Sequence, residues 1–539
     1  MEDTIPTSLF PLFALSEGDG SLRPMTGTGS DPERVPVVIA SGQSIERTEL
    51  VTPVDLMERA VESAFDDVGG LRAVVDRLSV VNIMTRTGPA PATELAGRTG
   101  LRSAACETTA IGGNTPQWLV NRAASAIAAG TLSATVIAGA EAIRSNRARR
   151  SAGLPRDLGE VGLAPDPVVG DDLPGAGPAE SAIGLLAPVH VYPLFESVVA
   201  ARAGHDAPAH RRAMAELFAP FTLVAAGHPY AWFPKALTPE AIATPTPDNR
   251  IVAEPYTKRM TAFLGSDQGA AIIVCSLAAA QRAGVADRAV FIWSGAEAVD
   301  VRFPAARPDL GRSPAIAAAG DALFAAASTA GGSHATLGID DVEVLDLYSC
   351  FPCAVELATE ALGIATTDSR GLTVTGGLPY FGGPGNNYAS HGIATVTDLL
   401  RGSSDRSGGP ARLGLATGLG WFVTKHALGL YGSAPPPGGF QRGDTGAAQA
   451  QIDASAIEMA LEVEAPTQAT VMAATVIRDN EGGATGAPLV ATLPDGRHMA
   501  LAPADEEVTD AMGRADVPGL IGSPVIVQPG PARYRLATG

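Results

Sequence analysis

The sequence contains few of the residues that several common functions require. Only three of its 539 residues are lysine, and the formal net charge is −19. Nucleic acids and acidic membranes are bound through clustered basic side chains, so this charge argues against both as general partners. Contacts to an anionic ligand must therefore come from arginine or from Lys235, Lys258 and Lys425.

Cysteine and long apolar runs are also scarce. Four cysteines in a chain of this length do not make a disulfide framework, and a reducing, cytoplasmic setting is the simplest. No apolar run reaches the about 20 residues that a membrane-spanning helix needs. The N-terminus has no basic segment of the kind that opens a secretory signal. Residues 1–34 have no periodic pattern, which predicts a disordered tail, with Met25 as an alternative start.

Aromatic residues make up only 5% of a chain that is 46% hydrophobic, so its core must be built from small aliphatic side chains. Residues 35–142 alternate short apolar runs with helical segments, and the same order returns in residues 256–431. Such alternation indicates a sheet covered by helices on both faces. The tetrapeptide Gly-Ala-Glu-Ala occurs at 139–142 and again at 295–298. The sequence therefore predicts two copies of one α/β unit.

Three further segments separate or follow these halves. Residues 143–255 combine an Arg-, Gly- and Pro-rich stretch with helical segments, which predicts an inserted loop domain. Residues 432–446 contain three consecutive prolines and have the composition of a linker. Residues 447–539 alternate short apolar runs with turn signals, which predicts a small β-barrel domain.

Four segments resemble the thiolase superfamily: residues 110–130, 263–273 (FLGSDQGAAII), 341–354 (DVEVLDLYSCFPCA) and 376–391 (GGLPYFGGPGNNYASH). They are similar to the sterol-carrier-protein-x type and to thiolase-like proteins described as acetyl-CoA acetyltransferases. The resemblance implies a duplicated thiolase fold, with two βαβαβαββ halves in α/β/α/β/α layers and the loop domain of 143–255 over coenzyme A. It also implies an acyltransferase of lipid metabolism, with a C-terminal domain similar to an OB-fold.

The catalytic residues that the resemblance implies are replaced. Gly113 stands at the position of the nucleophilic cysteine, and Gly383 stands at the histidine of the Gly-His-Pro motif. The Cys-x-Gly turn reads Ala-Thr-Gly, ending at Gly418, and Tyr348 replaces the Asn or His of the oxyanion site. We interpret a literal Gly-His-Pro at 227–229, inside the inserted domain, as coincidence. Loss of such a nucleophile typically costs on the order of 10⁴–10⁶ in rate, so ordinary thiolase activity is not expected.

Other polar groups in the same segments are the candidate site residues. Tyr348 and Tyr388 are either hydrogen-bond donors toward a thioester or aldol oxygen, or ordinary buried tyrosines. His391 either reaches the vacated histidine position or packs within its helix. Asn114 and the amides that begin the following helix form a candidate oxyanion pocket. Cys350 is either an apolar filler or a reactive thiol beside the cleft.

A coenzyme A thioester is expected as substrate or ligand, without a tightly bound cofactor. Lys258 is the candidate cation for its phosphates, with an ordinary surface salt bridge as the alternative. We expect Gly113, Gly383 and Gly418 to line the ligand site. The histidines show no metal-ligand spacing, so no metal site is expected. A homo-oligomer is compatible with the resemblance, although the extra C-terminal domain could block that contact.

Three functions remain open at this point. The first is a thiolase-fold enzyme with different carbon–carbon bond chemistry, such as retro-aldol cleavage of a CoA thioester. The resemblance implies this because thiolase-related aldolases also lack the nucleophile, use tyrosines near these positions and work with an OB-fold partner. The second is a non-catalytic carrier of acyl-CoA or lipid. The third is acyl transfer through a relocated nucleophile, Cys106 or Cys350.

Overall fold

A computed structural model describes residues 31–85, 87–332, 336–402 and 411–537. Met25 lies outside these ranges, as does the N-terminal tail predicted over 1–34 apart from its last four residues. Those four include a turn of 3₁₀ helix, Pro32–Arg34. A guanidinium nitrogen of Arg34 donates a hydrogen bond to the Ala128 carbonyl, so the described chain begins in contact with the first half.

The first half has the strand–helix alternation that its sequence predicts. Its elements are β1 (Pro36–Ile45), α1 (Pro53–Phe65), β2 (Arg77–Val80), α2 (Pro91–Arg98), β3 (Ala105–Thr109), α3 (Thr115–Ala128) and β4 (Ala134–Ala142). Helix α1 shows how local sequence fixes these boundaries. Thr52 and Asp55 form a reciprocal capping box, and Pro53 occupies the first turn, where a missing N–H leaves no bond unmade.

The inserted domain is mostly helical. Its elements are α4 (Ile143–Ser151), β5 (Val168–Val169), α5 (Pro178–Ala182), α6 (Pro188–Arg202), α7 (Ala207–Gly227), α8 (Pro239–Ala243), β6 (Ile251–Ala253) and β7 (Tyr256–Thr257). Among the helices in the described part of the chain, none has the length and apolar character that crossing a bilayer would require.

The remaining elements complete the second half and the C-terminal region. Residues 256–431 add β8 (Asp267–Ser276), α9 (Leu277–Arg282), β9 (Val290–Val299), α10 (Pro314–Ala330), β10 (Val342–Asp346), α11 (Pro352–Leu362), α12 (Tyr388–Gly402), β11 (Leu413–Gly420) and β12 (Lys425–Gly432). The C-terminal region adds β13 (Gln441–Arg442), α13 (Gly446–Ala454), β14 (Thr467–Ala474), β15 (Ile477–Arg478), β16 (Ala484–Gly486), β17 (Leu489–Thr492), β18 (His498–Pro503), α14 (Glu506–Arg514), β19 (Pro524–Val527) and β20 (Arg533–Leu536).

The large sheet shows the duplication directly. Its strand order is β10-β11-β12-β9-β1-β8-β4-β2-β3-β5. Outward from the central β1–β9 pair, β8, β4 and β2 on one side match β12, β11 and β10 on the other. Neighbouring strands also pair in the same direction in both halves. The β2–β4 and β10–β11 pairs are parallel, and the pairs nearer the centre are antiparallel. The two halves are therefore copies of one unit, as the sequence predicts.

The sheet is covered on both faces. One hydrophobic cluster contains α3 and α12 side chains together with the inward residues of both halves, and a larger cluster lies on the outer faces under α1, α2, α10 and α11. In β8 the alternation is visible in sequence, because Ile272 and Val274 face the inner cluster while Ile273 and Cys275 face the outer one. This is the α/β/α/β/α layering that the thiolase resemblance implies.

Two details differ from what sequence order alone indicates. Strand β8 lies between β1 and β4, so the chain returns to the sheet of the first half at Asp267, after the insertion. The two Gly-Ala-Glu-Ala copies lie in β4 and β9, which do not occupy matching places in the two halves. The duplication is real, but this tetrapeptide does not mark it, since Ala and Gly recur by composition.

The C-terminal domain is a closed five-stranded barrel in the order β14-β17-β18-β20-β19. With the five strands numbered in chain order, this is the order 1-2-3-5-4. Strands 1 and 4 pair to close the barrel, strands 3 and 5 are parallel, and α14 lies between strands 3 and 4 in the sequence. That topology agrees with the expected OB-like domain. Before it, in the segment expected to be a linker, β13 pairs with β9.

The barrel is attached to the inserted domain through main-chain and side-chain contacts. Strand β15 pairs with β6, joining both regions in a four-stranded sheet. The Glu254 amide donates to the Val476 carbonyl at 2.9 Å, and the Ala474 amide donates to the Ser197 hydroxyl at 3.2 Å. Barrel residues also belong to the larger hydrophobic cluster, so the barrel and the thiolase-like body share a core.

Candidate active site

The N-terminus of α3 lies directly on β11. A β carbon on Gly418 would come within 2.9 Å of the Asn114 Cα, and one on Gly420 would overlap the Asn114 side-chain oxygen. Real side chains do not tolerate such distances, so glycine at both positions is what allows the helix to begin here. The backbone amides at the start of α3 are thereby held against β11 of the second half's sheet.

Gly113 and Tyr348 occupy the same place in the site. A β carbon on Gly113 would come within 2.9 Å of the Tyr348 Cζ, closer still to its hydroxyl oxygen, and would also overlap the Leu419 carbonyl oxygen. The nucleophile position inferred from the resemblance is therefore filled by the tyrosine hydroxyl. The structure brings together Gly113 and Tyr348, which are 235 positions apart and which the sequence pattern indicates only as separate candidates.

Tyr348 is held in place from both ends. Its amide donates to the Thr417 hydroxyl at 2.8 Å, and its ring meets the Tyr388 ring edge-on with centroids 5.3 Å apart. The side chain is 7% exposed. Burial raises the pKa of Tyr348 well above its usual value, so the hydroxyl is neutral and able to donate a hydrogen bond. Within the described part of the chain, no protein group takes that hydrogen bond.

Behind the two tyrosines lies a buried carboxyl group that sequence reasoning missed. The Tyr388 hydroxyl lies 2.5 Å from the Thr375 hydroxyl, which is in turn 3.4 Å from Asp346. Asp346 also accepts from the Thr373 hydroxyl and the Val374 amide. Burial raises the pKa of Asp346 to about 6. The signal available in the sequence was an Asp that ends an apolar strand two residues before Tyr348.

Lys425 supplies a buried positive charge next to the start of α3. Its ammonium nitrogen donates to the carbonyls of Ile111 at 2.6 Å and Asp171 at 2.9 Å. Burial lowers the pKa of Lys425. A β carbon on Gly112 would lie 3.2 Å from this nitrogen and would overlap the Asn114 side-chain oxygen, which is buried without a hydrogen-bond partner among the described residues. Cation and helix amides together favour negative charge developing here.

The turn between β11 and β12 is strained beside this site. Trp421 and Val423 have positive φ angles, of 57° and 50°. For a β-branched residue such as Val423 this conformation is unfavourable and costs on the order of 1–3 kcal/mol. The turn joins Gly420 to Lys425, and the Tyr192 hydroxyl donates to the Trp421 carbonyl at 2.9 Å. Strain therefore coincides with the place where the inserted domain closes over the site.

His391 does not lie with these groups. Its Nδ1 is 2.7 Å from the Gln43 side-chain oxygen, and its ring packs 4.9 Å from Phe381. Burial, with a smaller contribution from the nearby His228, lowers the pKa of His391 to about 3. His228, of the literal Gly-His-Pro, packs 5.0 Å from the same phenyl ring. A β carbon on Gly383 would lie 3.1 Å from the Phe263 carbonyl oxygen, with side chains of Leu264 and Leu378 as its next neighbours.

The other predicted residues are less favourably placed. Lys258 is exposed on a short 3₁₀ helix, Lys258–Met260. Cys350 is buried, and burial raises its pKa to about 12. Cys106 is adjacent in β3 to Glu107, which pairs with Arg122 of α3, so the thiol faces the other side of the sheet. Burial also raises the pKa of Cys106, so neither thiol is an activated nucleophile.

A small cavity adjoins Tyr348. It is lined by Thr417, Gly418 and apolar side chains of α10, α11 and β12, and its volume is about 10 Å³. A cavity of that size holds about one water molecule. The space next to the tyrosine is thus almost closed in this conformation.

Solved structures with this fold exist. A monomeric SCP2-thiolase-like protein type 1 from Mycobacterium smegmatis is 28% identical, with a TM-score of 0.78 over 94% of this chain and 100% of that one. The Ltp2–ChsH2(DUF35) aldolase is 20% identical, with a TM-score of 0.56 over 75% of this chain and 99% of that one. No protein-family model matches the chain, and no curated protein does.

The match to the SCP2-thiolase-like protein extends over both halves, the insertion and the barrel, since it covers nearly the whole chain. This likeness agrees with the strand order, which repeats outward from the central β1–β9 pair, and with the five layers described above. The resemblance found in the sequence is confirmed. The chain has the fold of thiolase-like proteins and carries a closed five-stranded barrel in its C-terminal region.

Proposed function

We propose that this protein is an enzyme that cleaves a carbon–carbon bond in a β-hydroxyacyl-CoA thioester by a retro-aldol reaction, without a covalent acyl-enzyme. The observation that carries the proposal is the Tyr348 hydroxyl in the space of a nucleophile side chain at Gly113. A neutral, otherwise unpaired hydroxyl in that place suits proton transfer rather than attack on a carbonyl. The Ltp2–ChsH2(DUF35) neighbour is named an aldolase, which supports this class of reaction.

The reaction balances without a further reactant. The β-hydroxyl gives up its proton, the bond between the α and β carbons breaks, and the β carbon becomes a ketone or aldehyde. The electron pair passes to the α carbon, forming the enolate of the thioester, which takes a proton to become a shorter acyl-CoA. Tyr348 fits the role of shuttle in a single concerted step, its hydroxyl giving its proton to the α carbon as its oxygen takes the one released by the β-hydroxyl.

Negative charge on the enolate oxygen needs donors that are fixed before the reaction begins. The amides at the start of α3 and the Lys425 ammonium supply them, at the helix end where the macrodipole is positive. Tyr388 and Asp346 are positioning residues, because they hold the ring and backbone that present Tyr348. Lys258 remains our proposal for a contact to the phosphates of coenzyme A, since it is exposed at the border of the insertion and the second half.

The test is to incubate the full-length protein with β-hydroxyacyl-CoA thioesters and to measure release of carbonyl compound and shorter acyl-CoA. We expect turnover by the wild type and its loss in Tyr348→Phe. Tyr380→Phe is the matched control, because the Tyr380 hydroxyl is also buried and lacks a hydrogen-bond partner among the described residues. Equal rates in both variants would remove Tyr348 from the mechanism.

A second function, a non-catalytic carrier of acyl-CoA or lipid, is favoured by the glycine at position 113 and by the raised pKa of the Cys106 and Cys350 thiols, which leave the site without an activated nucleophile. It predicts heat of binding with CoA thioesters in calorimetry and no chemical change in any thioester. Failure of every CoA ester to bind would reject both functions. We do not propose acyl transfer through Cys106 or Cys350, because burial raises the pKa of both thiols.

A further inference from the structure

A second polar cluster lies where the inserted domain packs on the second half. It consists of Glu196 on α6, His210 on α7 and Glu356 on α11. One carboxylate oxygen from each glutamate and one imidazole nitrogen all lie within 4.8 Å of one another. Two consecutive helices of the insertion and one helix of the second half thus direct three metal-binding donors toward one point.

The cluster is largely buried, with Glu356 partly exposed. Glu196 is fully buried and His210 is 1% exposed. The His210 Nε2 lies 2.6 Å from a Glu196 oxygen. One Glu356 oxygen is buried and has no hydrogen-bond partner among the described residues. Within the described ranges, neither glutamate forms an ion pair with a lysine or arginine, so no basic side chain occupies the place of a cation.

Neighbouring groups orient these donors as supporting residues do around metal sites. The His210 Nδ1 lies 3.4 Å from the His205 Nδ1, which leaves Nε2 directed at the carboxyl groups. The Tyr256 hydroxyl donates to the second Glu196 oxygen at 2.6 Å. A fixed ring and a hydrogen-bonded carboxylate are what such supporting contacts provide.

We propose that Glu196, His210 and Glu356 bind a divalent transition-metal ion of Zn²⁺ type as a structural site. Two carboxylates and one imidazole suit such an ion, with water as a further ligand. The ion would fasten α11 to α6 and α7. Because α11 begins at Pro352, four residues after Tyr348, the site would also fix the segment that carries the tyrosine. The histidine and glutamates are dispersed in sequence, so ligand spacing did not show the site.

The experiment uses the full-length protein, treated with a chelator, dialysed, and titrated with Co²⁺ and then with Zn²⁺. We expect a visible Co²⁺ absorption band that saturates at one ion per chain and disappears when Zn²⁺ is added. Zn²⁺ should also raise Tm. In Glu356→Gln the affinity should fall by roughly a hundredfold or more, since loss even of a supporting residue costs about 10–100-fold.

Glu360→Gln is the matched control. Glu360 lies one turn further along α11, is exposed, and pairs with Arg202, so its loss removes the same charge without a ligand. It should bind Co²⁺ as the wild type does. A wild type without a saturable Co²⁺ band, or a folded Glu356→Gln that binds as tightly as the wild type, overturns the proposal. Should Glu356→Gln fail to fold, as judged by circular dichroism, the wild-type titration and its Zn²⁺-dependent Tm decide.

Discussion

At the scale of single residues, the glycine at 113 and the tyrosine at 348 are coupled. A side chain on residue 113 and the present position of the Tyr348 hydroxyl exclude each other, because both claim the same space at the start of α3. The loss of a nucleophile and the gain of a tyrosine are therefore one structural change. Restoring a cysteine alone cannot restore the geometry of acyl transfer.

Gly113→Cys tests this coupling. The new side chain would collide with the Tyr348 hydroxyl and with the Leu419 carbonyl, and overpacking of this kind costs about 1–3 kcal/mol. We expect a lower free energy of unfolding in urea and no acyl-enzyme with acetyl-CoA. Gly69→Ala is the control, because a β carbon there meets nothing within 4 Å. Unchanged stability in Gly113→Cys would show that the site accepts a cysteine side chain without a collision with Tyr348 or Leu419.

His391 makes a separate residue-scale prediction about pH. Burial holds its folded pKa at about 3, below the 6.5 of an unperturbed imidazole, so the unfolded chain binds the proton more readily. The stability linked to this group is complete above pH 6.5 and is lost as the pH falls toward 3. Between about pH 7.5 and about pH 5.5 the loss is about 1 kcal/mol.

The measurement is urea unfolding of the wild type and His391→Gln at both pH values. Other buried groups, among them Asp346, titrate in the same range, so the prediction concerns the difference between the two proteins. We expect acidification to destabilise the wild type by about 1 kcal/mol more than the variant. Parallel pH dependences would mean that His391 takes up its proton freely in the folded state.

At the scale of elements, one carboxylate connects the barrel to the inserted domain. Glu254, directly after β6, accepts from Arg211 at 2.8 Å and from Arg478 of β15 at 3.0 Å. All three side chains are less than a fifth exposed. Removing the shared partner leaves two guanidinium groups largely buried and unpaired.

Glu254→Ala should therefore destabilise the contact between barrel and insertion by about 3 kcal/mol. Limited proteolysis should release a barrel fragment faster from this variant than from the wild type. Asp495→Ala, which breaks an exposed pair with Arg497 in a turn of the barrel, should change nothing measurable. Identical digestion of all three proteins would show that other contacts hold the barrel in place.

Elements also show how far the sequence could predict the fold. Helix α11 begins at Pro352 without a side-chain cap, and a proline in the first turn of a helix is a local signal that the sequence contains. The return of β8 to the first half is a matter of long-range pairing, which local pattern does not contain. Asp346 was missed, and Lys425 was named only as one of three possible cations, for the same reason: each reaches the site from a strand end that only tertiary packing brings near α3.

At the scale of the whole molecule, the two halves, the insertion and the barrel form one connected body. The barrel contributes Ala473, Val490 and Ala500 to the larger hydrophobic cluster. The His498 ring lies 3.0 Å from the Ala305 carbonyl of the second half. The barrel is therefore part of the core as well as a candidate binding module.

A chain ending after residue 455 tests that view. Without the barrel, apolar surface of the insertion and of the second half is exposed to water, at a cost of roughly 25 cal/mol for each Å². We expect a lower Tm and aggregation in gel filtration, relative to the full-length protein. A truncated protein that is monodisperse with an unchanged Tm would show that the barrel is independent of the thiolase-like body.

The account as a whole claims that a thiolase-like fold performs chemistry on a CoA thioester without a covalent intermediate. Mass spectrometry of protein and small molecules together, during incubation of the wild type with a β-hydroxyacyl-CoA, tests this most directly. The account predicts a shorter acyl-CoA and a carbonyl product while the mass of the protein stays constant. An acyl adduct on any of the four cysteines would contradict it.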